Sequence, residues 1–221
     1  MNYPVIIVVT YNRPACLERL LASLKNAVYP DSTVKLIISI DGNCDPSTTN
    51  YASKFKWDFG DKEVINRTEH LGLKHHILTC GNMVENYHSI IILEDDLMVS
   101  PHYYEFAFKA QEFYSKFSEI SGVSLYQYDI TENGFYPFTP IDDAFSTYFM
   151  QLPSSWGQAW TDKQWEKFRL WFDSRESALT QPNLPLYVSQ WPDTSWKKIF
   201  TSYLMETNRY FVFPRRSFTT N

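Results

Sequence analysis

Apolar runs and polar breaks alternate along the first half of the chain, and each predicts an element. Pro4 to Thr10 (PVIIVVT) is a β-branched run without polar alternation, the pattern of a strand buried on both faces. Asn12-Arg13-Pro14 interrupts it. Leu17, Leu20, Leu21 and Leu24 then recur at helical spacing across Ala15 to Asn26. Val34 to Ile40 predicts a second strand, ended by Asp41-Gly42, and Asp45-Pro46-Ser47 opens a helix reaching Phe55. Glu63 to Asn66 is a short third strand, His75 to Glu85 a helix, and Ser89 to Leu93 a fourth strand.

Strand and helix in alternation imply right-handed crossovers and a mostly parallel central sheet flanked by helices, hence an α/β fold of Rossmann type in a single domain. Pro101 sits at the favoured first turn of a helix running to Phe117, and Ser121 to Tyr126 is a further strand. Asn133 to Pro153 is loop-rich with short strands. Lys163 to Phe172 and Ser195 to Glu206 are amphipathic helices, and Tyr210 to Pro214 a last strand. The pattern changes near residue 125. Residues 1–125 read as a nucleotide-type half and 126–221 as an aromatic half of the same domain. The end at Arg215 to Asn221 carries no polar tail, so further chain is expected beyond it.

With 221 residues the chain can bury a substantial core. A formal charge of −5 and a pI near 5.5 argue against general nucleic-acid binding. Aromatic residues make up 17%, enough both to fill a core and to offer faces to sugar rings. Cys16, Cys44 and Cys80 lack metal-ligand spacing and read as reduced thiols of a cytoplasmic protein. No apolar run approaches the ~20 residues of a membrane span, which leaves open peripheral contact with the inner face of a membrane.

The chemistry concentrates where Ser89 to Leu93 ends in Glu94-Asp95-Asp96. Open α/β sheets place ligands at that strand edge. Three adjacent carboxylates repel one another unless a cation joins them, and Mg²⁺ or Mn²⁺ typically takes one or two carboxylates plus phosphate oxygens. Asp96 is the expected direct ligand, Asp95 a ribose or sugar contact, and Glu94 a more distant metal or sugar contact. Thr10, Tyr11, Asn12 and Arg13 follow the first strand, where a nucleotide would lie. Arg13 suits a diphosphate, although a capping turn with an exposed Arg explains the same residues. Asp41 with Gly42 could accept a hydrogen bond from a base or ribose, or be a plain turn. Gly72 and Lys74 suit phosphate at a helix start. Trp156, Gly157 and Trp160 suit a wall for a stacked sugar, with core packing nearly as good an account of Trp160. Asp193 reads first as a helix cap or first-turn acid, and alternatively as a general base whose pKa is raised between Trp191 and Trp196.

Together VVTYNRP, IDG, HLGLKHH and ILEDDLMVSP resemble the nucleotide-sugar glycosyltransferases of the GT-A fold. The chain is similar to inverting family 2 enzymes and to N-acetylglucosaminyltransferase I, where a Glu-Asp-Asp triplet also ends a strand. The resemblance implies an inverting hexosyl- or N-acetylhexosaminyltransferase acting on a nucleotide-sugar donor, with UDP favoured, and a glycan or glycoconjugate acceptor. It implies that Thr10 to Arg13 and Asp41 hold the nucleoside and that Asp96 binds a Mn²⁺ or Mg²⁺ bridging the diphosphate. It makes Asp193 the leading base, with Asp142 and Asp143 as rivals, and polysaccharide biosynthesis a setting. A nucleotidyltransferase, or a non-catalytic sugar- or nucleotide-binding module on the same fold, are the competing readings. The first would normally carry a Gly-rich loop after strand one, and TYNRPA has no Gly.

Overall fold

The computed structural model describes residues 3–30, 33–131, 133–175 and 184–221. Strands β1 (Val5–Thr10), β2 (Leu36–Ile40), β3 (Lys62–Asn66) and β4 (Ser89–Glu94) form the parallel half of an eight-stranded sheet, in the order β3-β2-β1-β4. Every residue of β1 and β2 is buried, as runs without alternation require. Helices α1 (Pro14–Lys25), α2 (Pro46–Lys54) and α3 (Gly72–Asn82), with the single turn α4 (Val84–Tyr87), connect these strands. Asp45 caps α2, its carboxylate accepting the Ser47 N–H at 2.7 Å.

Alternate strand residues serve opposite faces. Ile6, Val8, Leu36, Ile38, Ile91 and Leu93 pack with the leucines of α1 and with Tyr103 and Ala107 of α5 (Tyr103–Tyr114). Val5, Ile7, Val9, Ile90 and Ile92 pack with Ile77 and Leu78 of α3, Trp165 and Phe168 of α6 (Asp162–Arg175), and Trp196 and Phe200 of α8 (Trp196–Glu206). This second face holds many of the aromatics, so the high aromatic content is largely spent on core.

The sheet continues through β8 (Gln158–Thr161), β6 (Ile120–Ser124), β9 (Tyr210–Pro214) and β7 (Thr147–Met150). Here β8 runs antiparallel to β4 and β6, β6 parallel to β9, and β7 antiparallel to β9. The sheet is therefore mostly parallel, as the order of elements predicts. A second small sheet pairs β5 (Met98–Val99) with β10 (Thr219–Thr220), and a short α7 (Leu186–Ser189) precedes α8.

Two expectations are corrected. The helix predicted from His75 begins three residues earlier, at Gly72, because a glycine at φ +72° starts it where the pattern reads as a turn. Trp160, read as part of a sugar wall or as core, lies on strand β8. The strand's four residues, Gln-Ala-Trp-Thr, are too few to announce it and carry no alternation. Among the described residues no helix is long and apolar enough to cross a membrane, and the three cysteines are free.

Candidate active site

The register gathers the predicted chemistry at one sheet edge. Val9 lies opposite Glu94, and Thr10 opposite Ile40, so Thr10, Asp41 and the acidic triplet leave the sheet side by side. Because β8 is antiparallel, with Gln158 opposite Ile92, Trp156 and Gly157 emerge at the same edge. Gly157 is required there: its φ is +93°, and a Cβ would stand 3.0 Å from Thr219 Cγ2 and 3.2 Å from Leu125 Cβ.

The three acids have distinct environments. Asp95 is buried. Its Oδ2 accepts the Thr10 hydroxyl at 2.7 Å and the Tyr11 N–H at 3.3 Å. Burial raises its pKa, opposed by those two donors and Arg13. Asp96 is more open, with its side chain 26% exposed. Its Oδ2 meets Arg13 at 3.0 Å and its backbone carbonyl meets Arg19 at 2.7 Å. Glu94 continues the face of Ile90 and Ile92 toward α8. Its Oε1 is sealed from solvent without a partner. Burial pushes its pKa up to about 8, reinforced by Asp96 and Asp95 and opposed by a hydrogen bond from the Trp196 indole. At neutral pH Glu94 is thus mainly uncharged, so the triplet carries two negative charges rather than the three that the bare sequence implies.

Arg13 bridges Asp96 and, at 3.6 Å, Asp95. The guanidinium therefore supplies positive charge between the two aspartates. Asn12, at φ +55°, ties the first loop to the second: its N–H contacts Cys44 Sγ and its Oδ1 accepts the Asp45 N–H at 2.6 Å.

Asp41 is 3% exposed. It accepts the N–H groups of Gly42 (2.9 Å), Leu71 (2.7 Å) and Gly72 (3.0 Å), and His70 Nδ1 stands 2.9 Å from its Oδ2. Burial pushes its pKa up, but the N–H groups of Leu71 and Gly42, the His76 ring and the Gly72 N–H outweigh it and hold the carboxyl below its usual range. Gly42 permits this closeness, since a Cβ there would lie 2.1 Å from the Glu69 carbonyl carbon. The His70 ring also rests on Tyr11, with centroids 4.4 Å apart. Behind Asp41, Arg67 has Nε and Nη2 buried without partners, and His76 bonds Ser39 at 2.8 Å.

Two of the predicted roles need correction. Trp160 is fully buried among Trp165, Trp196, Phe200 and Phe211, so it is core and cannot be a sugar wall. Trp156, 36% exposed and set edge-on to Tyr126, keeps that option. Asp193 is neither a cap nor desolvated. Ser195 caps α8 through the Lys198 N–H, and Asp193 is 94% exposed, paired with Lys198 Nζ at 2.8 Å. The Lys198 hydrogen bond and charge, with Lys74, hold its pKa down, opposite to the expected shift. Lys74 Nζ reaches the Asp193 carbonyl at 3.2 Å, so the Asp193 loop does border the start of α3. Asp142 accepts the Ala144 N–H, and Asp143 pairs with Arg215 in the 140–146 loop.

Arg19 and Arg67 are the site residues that sequence reasoning missed, while His70 and Trp196 were quoted within motifs without the contacts they make here. Their spacing carried no signal, since Arg19 lies on α1, Arg67 and His70 in the loop between β3 and α3, and Trp196 at the start of α8. An aromatic groove of about 1110 Å³ between α5 and β7, lined by Phe106, Phe113, Tyr114, Phe145 and Phe149, does not include the triplet; the chemistry lies at the sheet edge instead.

Among curated proteins none matches the sequence. Several solved structures share the fold. Staphylococcus aureus TarS 1–349 in complex with UDP-GlcNAc is 11% identical over 98% of this chain and 57% of its own, with TM-score 0.59. GalNAc-T7 with UDP, GalNAc and Mn²⁺ is 12% identical over 97% of this chain and 43% of its own, with TM-score 0.67. The mannosyltransferase PcManGT from Pyrobaculum calidifontis, in complex with GDP-Man and Mn²⁺, is 16% identical over 75% and 46%, with TM-score 0.52. The chain spans only about half the length of these proteins. Residues 5–151, which carry the first loop, Asp41 and the whole triplet, match the model of glycosyl transferase family 2, and the chain belongs to that family.

Proposed function

We propose that this chain transfers a sugar from a nucleoside-diphosphate donor, with UDP favoured, to an acceptor hydroxyl, with inversion at the anomeric carbon. One observation carries the reading: at the carboxyl edge of β4, Asp95 is locked by Thr10 and the Tyr11 N–H while Asp96 stays open beside Arg13. The first contact braces the loop on which a nucleotide would lie, and the second leaves a hard oxygen donor facing a cation of phosphate-binding type.

The residues fit a divalent ion held mainly by the donor. Among the described residues no group of three His, Cys, Asp or Glu is arranged to hold a metal, and Mg²⁺ or Mn²⁺ needs only one or two carboxylates when a diphosphate supplies further oxygens. Asp96 would provide that carboxylate. A bound ion would neutralise charge on the departing diphosphate. Arg13 would turn from the acids to diphosphate oxygens, and Lys74 would add charge from the start of α3.

Residues 1–125 would form the donor half and 126–221 the acceptor half, with Trp156 as a platform for a sugar ring. Of the three acids considered as base, Asp193 borders α3 through Lys74, whereas Asp143 is tied to Arg215. Lys198 keeps Asp193 ionised and so able to accept a proton. Separation from Lys198 when an acceptor arrives would raise its basicity.

The test is a panel of nucleotide-sugars with Mn²⁺, comparing the intact protein with Asp96→Ala. Slow release of one nucleoside diphosphate, reduced about 100-fold or more in the variant, is expected. Turnover untouched by Asp96→Ala and by chelator would overturn the metal role. No turnover and no nucleotide binding would favour the sugar-binding module.

A further inference from the structure

Asp41 has only acceptor atoms, and three hydrogen bonds and one close imidazole contact converge on them. Oδ1 takes the N–H groups of Gly42 and Leu71; Oδ2 takes the Gly72 N–H, and His70 Nδ1 stands 2.9 Å from it. The first three donors are backbone groups of loops clamped together at Gly42 and Glu69. The remaining contact is a side chain, 46% exposed, free to rotate away without moving a loop.

The same imidazole lies on Tyr11 at 4.4 Å between centroids, tilted by 32°. A flat heteroaromatic ring lying on an aromatic side chain, with a ring nitrogen 2.9 Å from a buried carboxylate, takes the place that a nucleobase with a ring N–H would fill. Uracil and guanine each offer such a ring N–H. Once His70 leaves, the Tyr11 face and the side of Oδ2 not taken by the Gly72 N–H open together.

Building on the nucleotide-sugar reading, we propose that His70 is a built-in competitor for the donor's nucleobase, its imidazole holding the Tyr11–Asp41 slot until a base with a ring N–H displaces it. His70 thereby sets donor affinity. The apparent dissociation constant is the intrinsic one divided by the fraction of the time the slot is empty.

Calorimetric titration of UDP and GDP into the intact protein and His70→Ala, each with Mn²⁺, tests this. Asp41 keeps three backbone donors in the variant, and His70 is half exposed, so the fold is retained. The preferred nucleotide is expected to bind about tenfold more tightly to His70→Ala, as a slot about nine-tenths occupied requires. Inorganic pyrophosphate, which has no base, should bind both proteins equally. Free imidazole should refill the emptied slot and weaken nucleotide binding to His70→Ala, with little effect on the intact protein.

Equal nucleotide affinities would overturn the proposal while leaving the donor reading intact. Weaker binding to His70→Ala would also overturn it and make the imidazole a wall of the site. A matching gain for pyrophosphate would trace the effect to charge and refute the role of the ring. Failure of both proteins to bind either nucleotide would sink the donor reading and this proposal with it.

Discussion

Glu94 offers a quantitative test of the site's electrostatics. Its pKa stands at about 8 in the folded chain against an ordinary value of 4.5, chiefly through burial, with the charges of Asp96 and Asp95 adding to it. The folded state therefore holds this proton more tightly than the unfolded chain. Stability from this group is fully present below the unfolded value and is lost as pH rises from about 4.5 towards about 8. At about 1.36 kcal/mol per pKa unit, the loss has a ceiling of about 5 kcal/mol, a large fraction of a typical domain's 5–15 kcal/mol or so. Glu94→Gln removes the ionisation while keeping the shape. In urea unfolding with EDTA, to keep cations out, the intact protein should lose about 3–5 kcal/mol relative to Glu94→Gln between about pH 5 and about pH 8. Asp95 and Asp96 are present in both proteins, so most of their own dependence cancels. Stability curves for the two proteins that run parallel within about 1 kcal/mol would refute the assignment of a neutral, desolvated Glu94.

Two further outcomes concern the frame around the site. Gly81→Ala should gain about 1 kcal/mol on helix propensity, yet a Cβ there would stand 2.0 Å from Trp165 Cζ2; a net loss of about 1–3 kcal/mol in urea unfolding is expected, and a stabilised variant would disprove the close contact of α3 and α6. His76 has its pKa lowered to about 4, first by burial, with Arg67 and His70 adding to this and Asp41 opposing it. Its contribution is complete above the unfolded value of about 6.5 and is lost as pH falls towards about 4; an imidazole titration followed by NMR should show a midpoint well below 6, and a midpoint near the unfolded value would contradict its burial.

The first half of the fold was legible because each parallel strand is buried on both faces and must be written as an unbroken apolar run. β1, β2 and β4 stand within about two residues of their predicted limits, and the placement of the triplet at a sheet edge followed from where β4 ends. The second half was less so. β8 has only four residues, Gln-Ala-Trp-Thr, with no alternation to mark it, yet its antiparallel insertion between β4 and β6 brings Trp156 to the edge and sends Trp160 into the core. Side-chain environment was similarly out of reach. Flanking tryptophans suggested that Asp193 was desolvated, but the loop turns it to solvent and onto Lys198.

The sequence alone determined which residue types could do chemistry and the edge at which they gather, because strand periodicity and strand ends are local properties of the chain. Only the tertiary structure decided their states: which carboxylate is neutral, which is locked by Thr10, which faces Arg13, and that His70 rather than solvent meets Asp41. Those states depend on burial and on partners distant in sequence, such as the 85 positions between Thr10 and Asp95, and these are fixed only when the strands pair and the loops close over their ends.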